Sequence, residues 1–166
     1  MEKRMTEAYE CYDEWWLPKD MENMGFIFEY CDLYCREAYG VEIAKKRFLD
    51  AFMRSRLRAE METGHPQLLS ESGRDTVEKF IGVDCDSDID QFIAVDDLDG
   101  EYVTNQFYWV GWMYAYFHFR SKLPSACIVE LLPIEDMLRQ YHLGHEMDKE
   151  SNYRSAMERL HLCTDM

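Results

Sequence analysis

The spacing of apolar residues predicts helices along most of the chain. Apolar residues before Pro18 recur at helical intervals, which predicts a first helix over residues 2–16. Asp20 is a suitable N-cap for a second helix, whose apolar residues recur every three or four positions as far as Gly40. The same periodicity predicts a third helix over residues 41–62.

Residues 107–119 form the most aromatic segment of the chain. Their apolar side chains follow neither strict alternation nor a single stripe, which is typical of a helix covered on all sides. Gly111 and Ala115 stand four positions apart, so one face of this helix is nearly bare and another backbone can approach it closely. We therefore expect the segment to be the central helix of the fold.

Shorter helices are predicted around this segment. Ser72 is a capping residue for a helix that continues to residue 81, and prolines precede or begin helices over residues 125–131 and 133–141. A final helix is predicted over residues 149–162. Residues 65–72 are interpreted as a loop and residues 84–101, which are rich in acids, as a solvated connector. The sequence thus predicts a mainly α-helical single domain, residues 1–166, with about seven or eight helices around the aromatic segment.

Composition limits the classes of partner. The 166 residues carry a formal net charge of −15, while 47% of them are hydrophobic, so the chain is predicted to fold rather than to be disordered. A strongly acidic surface makes nucleic acid an unlikely partner and does not favour an anionic membrane. The aromatic segment is shorter than the roughly 20 apolar residues that a membrane span needs. Six cysteines without a secretory signal predict reduced thiols and a cytoplasmic location.

Two segments contain candidate metal ligands. Residues 86–97 begin like a calcium-binding loop, but Gln91 stands where the sharp turn needs glycine, and Asp97 replaces the usual glutamate. His142, His145, Glu146 and Asp148 have side chains suited to zinc or iron, although Gly144 is expected to end a helix between the two histidines. No glycine-flanked nucleophile and no phosphate-binding loop is present, so no catalytic residue and no cofactor is predicted.

The predicted third helix, residues 41–62, contains a third of the bases in the chain. These bases are Lys45, Lys46, Arg47, Arg54, Arg56 and Arg58. Such a helix is compatible with a DNA-binding transcriptional regulator of the helix-turn-helix type. The acidic remainder of the chain would repel the phosphates that supply much of the energy of DNA binding.

Several short segments resemble a little-described family of small bacterial proteins. They are Arg54-Ser55-Arg56, Glu62-Thr63-Gly64-His65-Pro66, Ser72-Gly73-Arg74-Asp75, Tyr108-Trp109-Val110-Gly111-Trp112 and Leu143-Gly144-His145-Glu146-Met147-Asp148. His65 stands where the family pattern has asparagine. Members of that family are encoded in short operons beside predicted toxins, including proteins that look like ADP-ribosyltransferases. The resemblance implies an antitoxin-like role without an established activity.

The leading hypothesis is a non-enzymatic acidic binding protein that neutralises a cognate toxin by direct contact with a basic or substrate-binding surface. Its candidate binding residues are Tyr108, Trp109, Trp112, His145, Glu146 and Asp148. Tryptophan and tyrosine are enriched at the centres of protein interfaces, which favours the aromatic members of this set. A DNA-binding regulator and a metal-dependent enzyme remain the alternatives.

Overall fold

The computed structural model describes residues 11–39, 43–83, 91–93 and 97–164. These residues are mainly helical, as predicted, and within them the only β-type pairing is an isolated bridge between Ile43 and Ile93. A 3-10 turn at Glu14–Trp16 leads into the first helix. The helices are α1 Leu17–Tyr39, α2 Lys45–Met53, α3 Arg56–Glu62, α4 Pro66–Leu69, α5 Gly73–Glu78, α6 Thr104–Ser121, α7 Ser125–Leu131, α8 Ile134–Gly144 and α9 Lys149–Thr164, with a π-helical turn at Lys79–Val83 after α5.

The packing of α1 against α6 forms the centre of the molecule. Gly111 lies where the two helices cross, and a Cβ atom added there would stand 2.2 Å from the carbonyl oxygen of Met24. No other residue type fits this position without moving the backbone of α1. The close approach predicted for the bare face of the aromatic helix is therefore confirmed at Gly111.

Helix α6 is buried on nearly all sides, as its sequence predicts. Helices α7, α8 and α9 pack on the faces that α1 leaves open. Tyr114 is fully buried in the helix, and its hydroxyl donates a hydrogen bond to the carbonyl oxygen of Leu132. Only three aromatic side chains of α6, those of Tyr108, Trp112 and Phe119, are partly exposed. In the part of the chain that the structure describes, no helix has both the length and the hydrophobicity needed to cross a bilayer.

The first helical boundary differs from its prediction. Of the predicted helix over residues 2–16, residues 2–10 lie outside the described residues, residues 11–13 are not helical, and Glu14–Trp16 form the 3-10 turn that continues into α1. Pro18 is in the first turn of α1, where its missing N–H has no helical partner to lose. Asp20 therefore lies inside α1 rather than at its N-cap. Its carboxylate binds the guanidinium of Arg58 instead.

The predicted helix over residues 41–62 is divided into α2 and α3. Ser55 causes the division, because its hydroxyl donates to the carbonyl oxygen of Phe52 and accepts the backbone N–H of Arg58. The loop predicted over residues 65–72 contains the short helix α4, in which the His65 ring accepts the N–H of Leu68. The predicted cap at Ser72 is confirmed by its hydrogen bond from the N–H of Asp75.

The described parts of the acidic connector are attached to the start of α2. Asp97 accepts the backbone N–H groups of Lys46 and Arg47, each at 2.9 Å, and so supplies the helix with a remote N-cap. The N–H of Ala44 donates to the carbonyl oxygen of Phe92 at 2.7 Å. Residues 84–90 and 94–96, which include most of the candidate calcium loop, lie outside the described residues.

Candidate binding site

An aromatic cavity of about 500 Å³ lies where the first turns of α6 meet the end of α8 and the start of α9. It is lined by Asn105, Tyr108, Trp109, Trp112, Tyr141, His145, Met147, Asp148 and Lys149. Its walls are largely aromatic, and its polar lining residues are Asn105, His145, Asp148 and Lys149. This composition is common in sites that bind organic ligands or side chains.

A second cavity, of about 420 Å³, extends the first along the start of α1. The two share Tyr108, Trp112 and Lys149 as lining residues. On its far side the second cavity is lined by Glu14, Leu17, Pro18, Met21 and Glu22. We call the two together the aromatic groove.

Trp109 forms the floor of the groove and is held in place from two sides. Its ring meets that of Tyr141 edge to face, with 5.9 Å between centroids. On the other side it packs against Gly144, where an added Cβ atom would stand 2.5 Å from the indole. Trp109 is only 9% exposed, so this floor is rigid rather than formed by a mobile side chain.

Tyr141 and His145 form a stacked pair at one end of the groove. Their ring centroids are 4.4 Å apart and their planes differ by 10°. Nδ1 of His145 lies 2.6 Å from the carbonyl oxygen of Tyr141, which fixes the imidazole against the tyrosine ring. Both rings of the pair line the groove at this end.

Tyr108 and Trp112 are half-buried and present ring surface to solvent. Tyr108 meets the ring of Phe26 edge to face at 5.4 Å. Burial raises the pKa of the Tyr108 phenol, and the negative charges of Glu22 and Glu29 raise it further. The hydroxyl therefore remains a neutral hydrogen-bond donor in an acidic environment.

Charged groups border the groove. Asp148 caps α9, since its carboxylate accepts hydrogen bonds from the backbone N–H and the hydroxyl of Ser151, each at 2.8 Å. These two bonds lower the pKa of the Asp148 carboxyl. Glu14 and Glu22 border the opposite end. Lys149 is the basic lining residue, and its ammonium lies 5.6 Å from the centroid of the Tyr116 ring.

Five of the six binding residues predicted from the sequence line the groove: Tyr108, Trp109, Trp112, His145 and Asp148. The sixth, Glu146, is exposed next to the groove and is not one of its lining residues. The sequence interpretation missed the contribution of Tyr141 and Lys149. Tyr141 stands one helical turn before His145, and this spacing was the available signal for their stacking.

The four residues considered for metal binding are not assembled into a metal site. His142 and Glu146 are exposed, His145 stacks on Tyr141, and Asp148 serves as a helix cap. Among the residues that the structure describes, no three His, Cys, Asp or Glu side chains are grouped closely enough to hold a metal ion.

Four of the six bases considered for DNA binding are paired with acids of the chain. Lys46 lies near Glu135 at 3.8 Å, and Arg47 near Asp97 at 3.9 Å. Arg54 pairs with both Asp50 and Glu130, at 2.9 and 2.5 Å. These bases neutralise acids of the chain itself.

Arg58, the last of these bases, is completely buried in a polar network that the sequence did not reveal. Its guanidinium makes two parallel bonds to Asp20, at 2.7 and 3.0 Å, while its Nε lies 3.2 Å from both Glu62 and the Ser125 hydroxyl. Burial opposes ionisation of both Asp20 and Arg58. Their mutual attraction and hydrogen bonds, with the Tyr12 hydroxyl bonded to Asp20 and the charge of Glu62 near Arg58, together outweigh burial, so the pKa of Asp20 is lowered and that of Arg58 is raised.

The network continues through a cysteine–histidine pair. Nε2 of His118 lies 3.3 Å from the Cys11 sulfur, and Nδ1 lies 2.7 Å from the carbonyl oxygen of Leu123. We assign the proton to Nδ1, because only a donor can bond to that carbonyl. Burial lowers the pKa of His118 and raises that of Cys11 to about 11, so the pair is a neutral thiol and a neutral imidazole. A raised thiol pKa is the opposite of what activates a cysteine nucleophile.

No family model, curated protein or solved structure matches this chain. The function is therefore inferred from the chemistry of the groove.

Proposed function

We propose that this chain is a non-enzymatic binding protein of the cytoplasm that neutralises a cognate toxin by direct contact through the aromatic groove. The observation that supports this most is the groove itself, in which the partly exposed rings of Tyr108 and Trp112 lie between rigid aromatic walls and acidic borders. Exposed tryptophan and tyrosine above a well-packed floor are the usual anchors of a protein interface.

Charge complementarity favours a basic partner. The chain has a net charge of −15, and carboxylates of Glu14, Glu22 and Asp148 border the groove. Opposite charges on two proteins increase their association rate, while buried aromatic contacts slow their dissociation. A basic toxin whose active surface enters the groove would be both captured quickly and occluded.

Binding of the protein encoded by the adjacent gene tests the proposal. The two proteins are co-expressed, purified by a tag on the partner, and the complex is titrated by calorimetry. Trp112→Ala removes a groove anchor and is expected to weaken binding by about 2 kcal/mol or more, which corresponds to about 30-fold. Circular dichroism of the variant confirms that it remains folded.

Leu143→Ala is the matched control. Leu143 is 80% exposed, and it lines a separate cavity of about 640 Å³ at α8 and α9. Its truncation is expected to change the affinity less than about twofold. Absence of any complex refutes the proposed function. A complex that depends on Leu143 and not on Trp112 refutes the assignment of the groove as the contact surface.

A further inference from the structure

Aromatic rings on the outer side of α6 and α9 are paired with cations of the chain itself. The guanidinium of Arg120 lies 4.6 Å above the ring of Tyr153, and the ammonium of Lys122 lies 3.6 Å above that of Phe119. Lys149 lies 5.6 Å above Tyr116. At these distances the negative face of a ring attracts a positive charge.

The aromatic groove shares Lys149 with this surface, but among the described residues no lysine or arginine lies over the rings of Tyr108 and Trp112. Lys149, the basic residue at its edge, is already placed over Tyr116, one turn beyond Trp112. The half-buried rings of Tyr108 and Trp112 thus offer faces of the kind that bind cations elsewhere on this surface.

Carboxylates stand at both ends of these rings. Asp148 lies at the α9 end, held by Ser151 in a position where its negative charge persists, and Glu14 and Glu22 lie at the α1 end. A ligand with an apolar stem and a flat, positively charged head would contact the rings and remain close to a carboxylate. Among protein side chains, arginine has this shape and stacks on aromatic faces.

We propose that the aromatic groove binds an arginine side chain of the protein partner. This inference rests on the proposed function and specifies the chemistry of its recognition. The stem and guanidinium of the arginine lie against Trp112 and Tyr108, with the charged head directed toward the carboxylates at the border. A neutral side chain of the same shape would lose the attraction to both the rings and the acids.

Short peptides test this inference without the partner. Three capped peptides of one sequence carry, at their central position, arginine, citrulline or trimethyllysine. Citrulline has the shape of arginine without its charge. Each is titrated into the full chain, and the indole N–H signals of the tryptophans are followed by nuclear magnetic resonance. The arginine peptide is expected to shift the Trp109 and Trp112 signals saturably, and at least about threefold more tightly than the citrulline peptide.

Two leucine variants locate the effect. In Trp112→Leu the site remains apolar but loses one ring face, while Tyr108 and the border carboxylates remain. The preference for arginine over citrulline is therefore expected to fall below that of the unmodified chain. Trp15→Leu is the matched control, because Trp15 is 77% exposed and does not line either cavity. This variant is expected to keep the full preference, and the melting curves of both variants establish that they are folded.

Several outcomes would overturn the inference. They are an absence of saturable shifts, equal affinity for the arginine and citrulline peptides, tighter binding of trimethyllysine, or an unchanged preference in Trp112→Leu. If the partner complex forms and depends on Trp112 while the peptides show no preference for arginine, the proposed function stands and this inference fails. If the peptides behave as expected and no partner binds, the toxin-neutralising function fails.

Discussion

Replacing Arg58 with methionine tests the buried network directly. Methionine retains most of the length of the side chain but removes the charge, which leaves the carboxylates of Asp20 and Glu62 buried without their cation. Arg58 is 0% exposed and contacts these two acids at 2.7, 3.0 and 3.2 Å. Removing one partner from such a buried pair costs about 3–5 kcal/mol.

This cost is a large part of the roughly 5–15 kcal/mol that stabilises a domain. For a chain of this size it corresponds to a fall in melting temperature of about 6–20 °C. Urea unfolding, followed by tryptophan fluorescence at neutral pH, measures the change in free energy. Arg54→Met is the matched control, since Arg54 pairs with Asp50 and Glu130 at the exposed surface and is expected to contribute less than about 1 kcal/mol.

The pH dependence of the variant provides a second test. In the wild-type chain the pKa of Asp20 is lowered by Arg58, so its contribution is present at neutral pH and is lost as the pH falls below the ordinary value of 3.8. Without Arg58, burial raises the pKa of Asp20, so mild acid protonates this carboxyl in the folded variant and removes its buried charge. The difference in free energy of unfolding between the wild type and the variant should therefore become smaller as the pH is lowered. If Arg58→Met lowers the free energy of unfolding at neutral pH by less than about 1 kcal/mol, or by no more than Arg54→Met does, the argument is refuted.

Three further predictions concern His118, Gly111 and Cys11. Because burial lowers the pKa of His118, the free energy of unfolding is expected to decrease as the pH falls below 6.5, and His118→Gln should flatten this part of the profile measured by urea unfolding. Gly111→Ala should lower the free energy of unfolding by at least about 2 kcal/mol, because the added carbon clashes with the Met24 carbonyl. Gly82→Ala is the control in the same measurement. Its added carbon has no atom within 4 Å, so the change should be less than about 0.5 kcal/mol. Cys11, with its pKa near 11, should be alkylated about tenfold or more slowly at pH 8 in the folded chain than in urea, as measured by mass spectrometry; equal rates would contradict the burial of its thiol.

Local patterns in the sequence predicted most helices correctly. Helix α6 was identified from its all-round apolar pattern, α7 from the proline before it, and the start of α5 from Ser72, because each signal lies within a few residues of the element it specifies. The local signals at Pro18 and Ser55 led to wrong helix boundaries, because each fits more than one local structure. A proline fits the first turn of a helix as well as the end of one, and a serine that divides two helices has no distinct spacing.

The polar network could not be predicted because its partners are distant in sequence. Arg58 is 38 residues from Asp20 and 67 from Ser125, and no periodicity connects these positions. Nothing in the sequence therefore distinguishes Arg58 from the other five bases of residues 41–62. The candidate groove was partly accessible, since its tryptophans and the segment from His145 to Asp148 were both identified, but their meeting at α6 and α9 required the fold.

The network around Arg58 also constrains how this protein can evolve. Replacing Arg58 leaves two carboxylates in the interior without their cation, and replacing Asp20 or Glu62 leaves donors of the buried guanidinium without their acceptor. A joint replacement of all three by apolar residues of similar volume need not be harmful. Substitutions at these positions should therefore be strongly epistatic. Diverging sequences would be expected to keep the three residues together or to exchange them as a set.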